Sequence, residues 1–157
     1  SRKDGLRKAR RAGVACLESK DLSLFWPILE QNLWARHRLK PVHNLEEISR
    51  LHKAFPENIR LFLAMEAGEA VAGCLVYETE TTAHIQYISS NQRGKALGAL
   101  DLLFQHLIFD SFQHKDYLDF GISTDNDGFK LDKGLLFQKE GFGGRATVYD
   151  IYALDVK

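Results

Sequence analysis

The sequence predicts one α/β domain in which a mixed β-sheet is flanked by helices. Its 157 residues are enough to enclose a hydrophobic core, and 45% of them are hydrophobic. No repeat, low-complexity tract or Pro/Gly/Ser-rich linker divides the chain, so we expect one continuous domain. Three consecutive strand-like segments are followed by alternating helix and strand, an order that is typical of a mixed sheet covered by helices.

The N-terminal third of the chain predicts a helix, a strand and two further helices. In chain order these segments are 2–12, 14–17, 23–39 and 44–55. Gly13 ends the first helix, and Ser23 is placed to cap the second, whose apolar residues recur at helical spacing. Pro27 lies in its first turn, where a missing N–H does little harm. Asn44 and Glu47 have the spacing of a capping box, which predicts the start of the last helix.

The remaining segments predict a three-stranded meander and then alternating helices and strands. They are 59–66, 71–78, 82–89, 96–112, 117–122, 131–139 and 146–154. After the first helix the element order is therefore β-α-α-β-β-β-α-β-α-β. We expect strands 82–89 and 117–122 to be parallel neighbours, because the amphipathic helix between them supplies the crossover that a parallel pair requires.

The charges are balanced overall but unevenly distributed along the chain. Lys plus Arg and Asp plus Glu each number 21. Residues 1–12 carry six bases against one acid, which leaves 15 bases against 20 acids in the rest. We expect segment 1–13 to be a solvated surface helix or an interdomain element beside a domain at 14–157, and we favour this over nucleic-acid or membrane binding.

Composition and spacing also exclude several classes of protein. Cys16 and Cys74 lie in apolar runs without metal-ligand spacing, so we expect buried thiols in a reducing, cytoplasmic compartment and no metal. Asp119, Asp125 and Asp127 lack calcium-loop spacing and are typical of turns. No apolar run reaches the roughly 20 residues of a membrane span, and no apolar stretch that would mark a secretory signal follows the first residues. The missing initial Met favours a piece of a longer protein.

The loop before helix 96–112 has the setting of a phosphate site. It follows a strand and opens a helix, where backbone N–H groups and the positive end of the helix attract anions. Glycine lets the backbone approach an anion closely, and Arg93 and Lys95 add positive charge. The alternative is an ordinary glycine-containing turn with two solvated bases.

Arg93-Gly94-Lys95-Ala96-Leu97-Gly98 resembles the Q/R-x-x-G-x-G/A acyl-CoA loop of the GNAT (Gcn5-related N-acetyltransferase) superfamily. Leu136–Phe142 is similar to the L-Y-x-K-x-G-F ending of the fourth helix in that family. The resemblance implies the GNAT fold and an N-acyltransferase that uses acetyl-CoA or another acyl-CoA. It implies a small-molecule or peptide amine as acceptor. The residues implied to bind CoA are Ile88, Ser89, Arg93, Gly94, Lys95, Ala96, Leu97 and Gly98.

Segments 7–14, 117–121 and 137–144 resemble the C-terminal part of FemAB-like proteins, which are tandem GNAT domains. That resemblance implies a preceding GNAT domain, with aminoacyl-tRNA as donor and a peptidoglycan precursor peptide as acceptor. A non-catalytic GNAT scaffold is the third alternative. Ala96 stands where the family usually has its central glycine, and Phe137 stands where many members have a tyrosine that protonates the leaving thiolate.

Strand 82–89 supplies the catalytic candidates. Strict alternation predicts two faces, with His84, Gln86 and Ile88 on one and Ile85, Tyr87 and Ser89 on the other. His84 is the candidate general base, since histidine titrates near neutrality, and a hydrogen-bonded core histidine is the alternative. Tyr87 is a candidate proton donor, with aromatic packing as its alternative.

Two further residues are weaker candidates. Glu78 could act as a base through water, although a solvated acid at a strand end is the favoured interpretation. His43 precedes a helix and could face a substrate cleft, and hydrogen bonding at the helix entry is favoured for it.

Overall fold

The computed structural model describes residues 1–125, 128–150 and 152–154, which fall into two compact units, Ser1–Gly121 and Ile122–Lys157. The helices of the described residues are α1 (Arg2–Arg11), α2 (Trp26–His37), α3 (Leu45–Ala54), α4 (Gln92–Leu97), α5 (Ala99–His106) and α6 (Lys133–Glu140). The strands are β1 (Ala15–Ser19), β2 (Ile59–Glu66), β3 (Glu69–Glu78), β4 (Thr82–Ser90), β5 (Tyr117–Asp119), β6 (Thr124–Asp125) and β7 (Lys130–Leu131).

The first unit is built on a five-stranded sheet in the order β1-β2-β3-β4-β5. Strands β1 to β4 are antiparallel neighbours, whereas β4 and β5 are parallel and pair from Thr82 opposite Tyr117 to His84 opposite Asp119. The mixed sheet and the parallel pair confirm the predicted fold class, because the α4–α5 segment is the crossover between β4 and β5. In the second unit β6 and β7 form a two-stranded antiparallel ribbon.

Helices cover both faces of the five-stranded sheet. On one face α2 and α3 enclose a core with Leu61, Leu63 and Leu75 of the sheet. Phe62 lies between two of these leucines on β2 and therefore points to the other face, where its ring contacts Phe112 after α5. Consecutive residues 61–64 of β2 and 74–76 of β3 are buried, so these two strands are covered on both faces.

The basic helix α1 packs against α5. Ala9 is fully buried, and Arg2 Nη1 donates to Asp101 Oδ1 at 2.9 Å. Arg10 Nη2 donates to Gln105 Oε1 at 2.8 Å. Two of its six bases therefore contribute to packing within the first unit, and a further role as an interdomain element stays a prediction.

Several predicted boundaries are wrong. Asp21, rather than Ser23, caps the start of the second helical segment, a 3-10 turn at Leu22–Leu24 that precedes α2. The predicted helix 96–112 is two helices that meet at Gly98, followed by a short π-helix at Leu107–Ser111. Strand β5 ends at Asp119, and described residues 146–150 and 152–154 form no strand. Ile151 and Asp127, which the predictions included, lie outside the described residues. None of the described helices is long and apolar enough to cross a membrane.

Candidate active site

The candidate site lies where β4 and β5 part. Their pairing ends at His84 and Asp119, while β4 continues to Ser90 and leads into α4. Along that last part of β4, the described residues of the first unit supply a strand partner only on the β3 side. Within the described residues of the first unit, the edge of β4 that faces away from β3 therefore has no strand neighbour from Ile85 to the start of α4.

His84 forms a hydrogen-bonded pair with Asp119 at the point of parting. Its Nδ1 lies 2.7 Å from Asp119 Oδ2, and the Gly121 amide donates to Asp119 Oδ1 at 2.8 Å. About a third of the His84 side chain is exposed. A histidine held by a carboxylate that is itself held by the backbone is one of the arrangements that can support general-base chemistry.

A β-bulge at Gln86 places His84 and Tyr87 on the same face of the sheet. Tyr77 pairs with His84, and Leu75 pairs with Tyr87, so the register shifts by one residue between them. Leu75 and Tyr77 both pack against the core beneath α2 and α3, and directly opposed residues project to the same face. The predicted alternation, which separated His84 from Tyr87, is therefore wrong.

Tyr87 is held between α2 and the segment before α3. Its hydroxyl lies 2.8 Å from His43 Nδ1, and its ring stands edge-on to Trp26 with 5.3 Å between ring centroids. His43 also lines a cavity of about 300 Å³, together with Glu30 and Trp34 of α2. Tyr87 therefore both packs as an aromatic residue and presents a hydrogen-bonded hydroxyl.

The start of α4 is capped by Asn91. Its Oδ1 accepts from the Gly94 amide at 2.8 Å, and its backbone oxygen accepts from the Lys95 amide at 3.0 Å. The Gly98 amide donates to Lys95 O at 3.3 Å. In the described part of the chain, the amides of Gln92 and Arg93 have no acceptor, as is usual for the first turn of a helix.

Two glycines of the loop are required by close packing. A Cβ at Gly94 would lie 2.2 Å from Val71 O of β3. Gly98 has φ +72° and ends α4 in the left-handed conformation, and a Cβ there would lie 2.6 Å from the backbone of Gly5 in α1. Between Gly94 and Gly98, Ala96 is exposed and Leu97 is buried.

The two cations of the loop are engaged by neighbouring side chains. Arg93 forms an ion pair with Glu66, with Nε 2.9 Å from Oε2. Lys95 Nζ donates to Asn32 Oδ1 at 3.0 Å. Partial burial, and then the charge of Arg36, lower the pKa of Lys95. Asn32 also donates to the buried Ser89 hydroxyl at 3.1 Å, so side chains of α2 contact both the end of β4 and α4.

Other nucleophilic and basic side chains have structural surroundings. Glu78 binds Arg60 and Lys115, at 2.8 and 3.0 Å, and although burial opposes it these two cations lower the pKa of Glu78. It is therefore a poor general base. Burial raises the pKa of the Cys74 thiol and raises that of Cys16 to about 11. Within the described residues, no three His, Cys, Asp or Glu side chains gather as metal ligands do.

The sequence signalled only some of these contacts. Asp119, His43 and Glu66 were not predicted as partners of His84, Tyr87 and Arg93, because each pair joins residues at least 27 positions apart. Asn91 could have been recognised, since Asn three residues before Gly94 is a common helix cap. In the second unit, Phe137 lies on α6 and is 77% exposed.

Residues 2–131 match the family model described as an acetyltransferase (GNAT) domain. A possible acetyltransferase from Clostridium difficile 630 has a similar structure, with a TM-score of 0.68, 12% sequence identity, and coverage of 92% of this chain and 98% of that one. An aminoglycoside acetyltransferase from an uncultured soil metagenomic sample, in complex with sisomicin, also has a similar structure. Its TM-score is 0.59 and its sequence identity 16%, with coverage of 90% of this chain and 95% of that one.

A GNAT family acetyltransferase from Elizabethkingia anophelis, with acetyl-CoA bound, gives a TM-score of 0.55 and 17% identity, over 86% of this chain and 78% of that one. No sequence among the curated proteins matches the chain. The structural similarities, all at low identity, support the fold.

Proposed function

This chain belongs to the acetyltransferase (GNAT) family, and from that membership we propose that it transfers an acyl group from acyl-CoA to an amine acceptor. The observation that carries the proposal is the parting of β4 and β5 directly after His84 and Asp119. β4 carries the candidate base His84 and leads into the loop that opens α4. Between these two points, the described residues of the first unit leave its edge away from β3 without a strand neighbour. A small molecule or a peptide with a free amine is the proposed acceptor.

The donor is proposed to lie along the open edge of β4. The backbones of Ile88 and Ser89 would contact its pantetheine arm, since the Ser89 hydroxyl is already bonded to Ile28 O and Asn32. The Arg93–Gly98 loop would hold the pyrophosphate, with the amides of Gln92 and Arg93 as donors and Arg93 and Lys95 as counter-charges. Gly94 and Gly98 would allow the close backbone packing of the loop, and the backbones of Ala96 and Leu97 would form the rest of it.

The proposed chemistry is a direct transfer. His84 accepts a proton from the acceptor ammonium, and the amine nitrogen then bonds to the thioester carbonyl carbon. The carbon–sulfur bond breaks, and CoA leaves as a thiolate. Tyr87 gives its proton to that thiolate and regains one from the new amide nitrogen, which replaces the acid that Phe137 cannot supply.

Binding of CoA, measured by calorimetry, tests the donor site. Arg93→Glu combined with Lys95→Glu should weaken binding by about 1–3 kcal/mol, because charge-assisted phosphate contacts are lost. Glu66→Gln should act in the opposite direction. It frees Arg93 from an ion pair with Glu66, so CoA should bind more tightly than it does to the parent.

The matched control reverses two exposed charges elsewhere, Lys20→Glu with Lys53→Glu, and should leave the affinity unchanged. Unchanged affinity in the Arg93/Lys95 variant would contradict the proposed loop. No affinity in the parent would favour the non-catalytic scaffold, to which Ala96 and Phe137 also point. Salt-sensitive tRNA binding that Lys3→Glu with Lys8→Glu in α1 abolishes would favour the FemAB-like, aminoacyl-tRNA-dependent function.

A further inference from the structure

We infer that Asp119 is a positioning residue that holds His84 as the Nδ1–H tautomer, so that Nε2 is the atom that accepts the proton. The inference rests on the proposed function for its catalytic meaning. The juxtaposition that carries it is made by this chain's own residues: His84 and Asp119 are the last paired residues of β4 and β5, and their side chains meet at 2.7 Å.

Both oxygens of the Asp119 carboxylate are engaged. Oδ2 faces His84 Nδ1, and Oδ1 accepts from the Gly121 amide at 2.8 Å. Gly121 has φ +70°, a conformation that glycine adopts without strain and that turns its amide back towards Asp119. The carboxylate is thereby fixed from the backbone side, and its free rotation is removed before any substrate binds.

The hydrogen-bond chemistry of the pair determines the tautomer. An ionised carboxylate only accepts, so His84 Nδ1 must carry the proton that bridges the two groups. In the neutral ring, Nε2 then has the lone pair. When Nε2 accepts a proton, the Nδ1–H bond to the carboxylate becomes charge-assisted, which stabilises the imidazolium as it forms.

A purely structural ion pair accounts less well for this arrangement. The side chains of His84 and Asp119 are 35% and 48% exposed, and pairs of that exposure add little stability. The Asp-Phe-Gly tripeptide at 119–121 is unrelated to kinase chemistry, since the chain lacks the other kinase motifs. In this chain the tripeptide forms local hydrogen bonds: Asp119 binds His84, and the Gly121 amide binds Asp119.

The Gly121 amide makes Asp119→Asn an unusually sharp test. Because that amide already donates to Oδ1, it favours Asn Oδ1 in the same place, and the Asn NH₂ group then faces His84 Nδ1 as a donor. The variant should therefore reverse the tautomer to Nε2–H and remove the base. Asp119→Ala removes the constraint without imposing the wrong tautomer, so it should retain more activity than Asp119→Asn.

The experiment combines nitrogen-15 NMR of the His84 ring with steady-state turnover on acetyl-CoA and an amine. We expect the Nδ1–H tautomer in the parent and the Nε2–H tautomer in Asp119→Asn, with kcat lowered about 10²-fold or more and the CoA affinity and Tm nearly unchanged. Asp116→Asn, an exposed carboxylate just before β5, is the control.

An Nε2–H tautomer in the parent, or turnover in Asp119→Asn within about twofold of the parent, would overturn the inference. Unchanged turnover in that variant would leave the proposed transferase function standing. A parent that turns over no acyl donor would instead remove the proposed function, and the NMR spectra would still decide whether Asp119 sets the tautomer.

Discussion

At the scale of single residues, one extra residue in β4 determines which side chains can act together. The bulge at Gln86 rotates the strand so that His84 and Tyr87 share the face beneath α2 and α3. His84 is then held by Asp119 of β5, and Tyr87 by His43 of the segment before α3. Without the bulge, the candidate base and the candidate acid would lie on opposite faces of the sheet and could not serve one reaction centre.

Replacing His84 tests the base directly. His84→Gln keeps the approximate size and the hydrogen bond to Asp119 but removes the titrating group, so kcat should fall by roughly 10²–10⁴. The Tm should change little, because the side chain is partly exposed. His114→Gln, at an exposed position outside the site, is the control. If turnover survives in His84→Gln, His84 is structural and the assignment is wrong.

Residue types on β4 could be predicted from the sequence, but their partners could not. Strand character follows from alternation and β-branched residues, which are local properties. The register of the parallel pair, by contrast, joins His84 to a residue 35 positions away through a crossover of variable length. The bulge likewise depends on how β3 and β4 twist around each other, which no short window of sequence records.

At the scale of elements, the α4–α5 junction shows why one predicted helix is two. The apolar stripe of segment 96–112 continues through both helices, so periodicity alone predicts a single helix. Gly98 breaks it, because its left-handed conformation ends α4 and begins α5. That break lets α1 approach, with Gly5 facing Gly98. The capping box at Asn44, a purely local signal, is confirmed.

Substitution of Gly98 measures this close approach. Gly98→Ala places a methyl group 2.6 Å from the Gly5 backbone in addition to a strained φ of +72°. Gly13→Ala is a matched control, since Gly13 has the same φ and no neighbouring atom lies within 4 Å of the point that an alanine Cβ would occupy there. Gly13→Ala should cost about 1–2 kcal/mol of unfolding free energy, and Gly98→Ala about 1–3 kcal/mol more.

Chemical denaturation gives both unfolding free energies. Because α1 or α4 must move to accept the methyl group, CoA affinity should also fall in Gly98→Ala and stay constant in Gly13→Ala. Equal losses of stability in the two variants would show that Gly98 is required for its φ alone, and that the contact with α1 does not constrain the loop.

At the scale of the whole first unit, an ion-pair network ties one end of the sheet together. Arg60 on β2 binds Glu18 on β1 and Glu78 on β3, and Lys115 before β5 also binds Glu78. Glu78 Oε1 and Oε2 are thus shared between two cations, with only 13% of the side chain exposed. The network links β1, β2, β3 and the segment before β5, at the end of the sheet where β4 begins and β5 enters.

This network predicts that the first unit loses stability in acid. Burial opposes ionisation of Glu78, but its bonds to Arg60 and Lys115 prevail and lower its pKa below 4.5. A carboxyl group whose pKa is lower in the folded state stabilises that state above its ordinary pKa. The contribution is lost as the pH falls from about 4.5 through the folded-state value. The unfolding free energy should therefore decrease between pH 7 and pH 3.

Glu78→Gln isolates the contribution of this carboxylate. At pH 7 the variant should lose about 1.5–3 kcal/mol, because the amide has one acceptor oxygen for two cations, so one charge-assisted bond is lost and the other is weakened. Near pH 3 it should approach the parent. Glu57→Gln, at an exposed position after α3, should leave the unfolding free energy unchanged at pH 7 and at pH 3. Denaturation curves of the parent and both variants at pH 7 and pH 3 give the unfolding free energies to be compared. A loss in Glu78→Gln that is the same at pH 7 and pH 3 would mean that shape and packing, rather than charge, explain the position of Glu78 between Arg60 and Lys115.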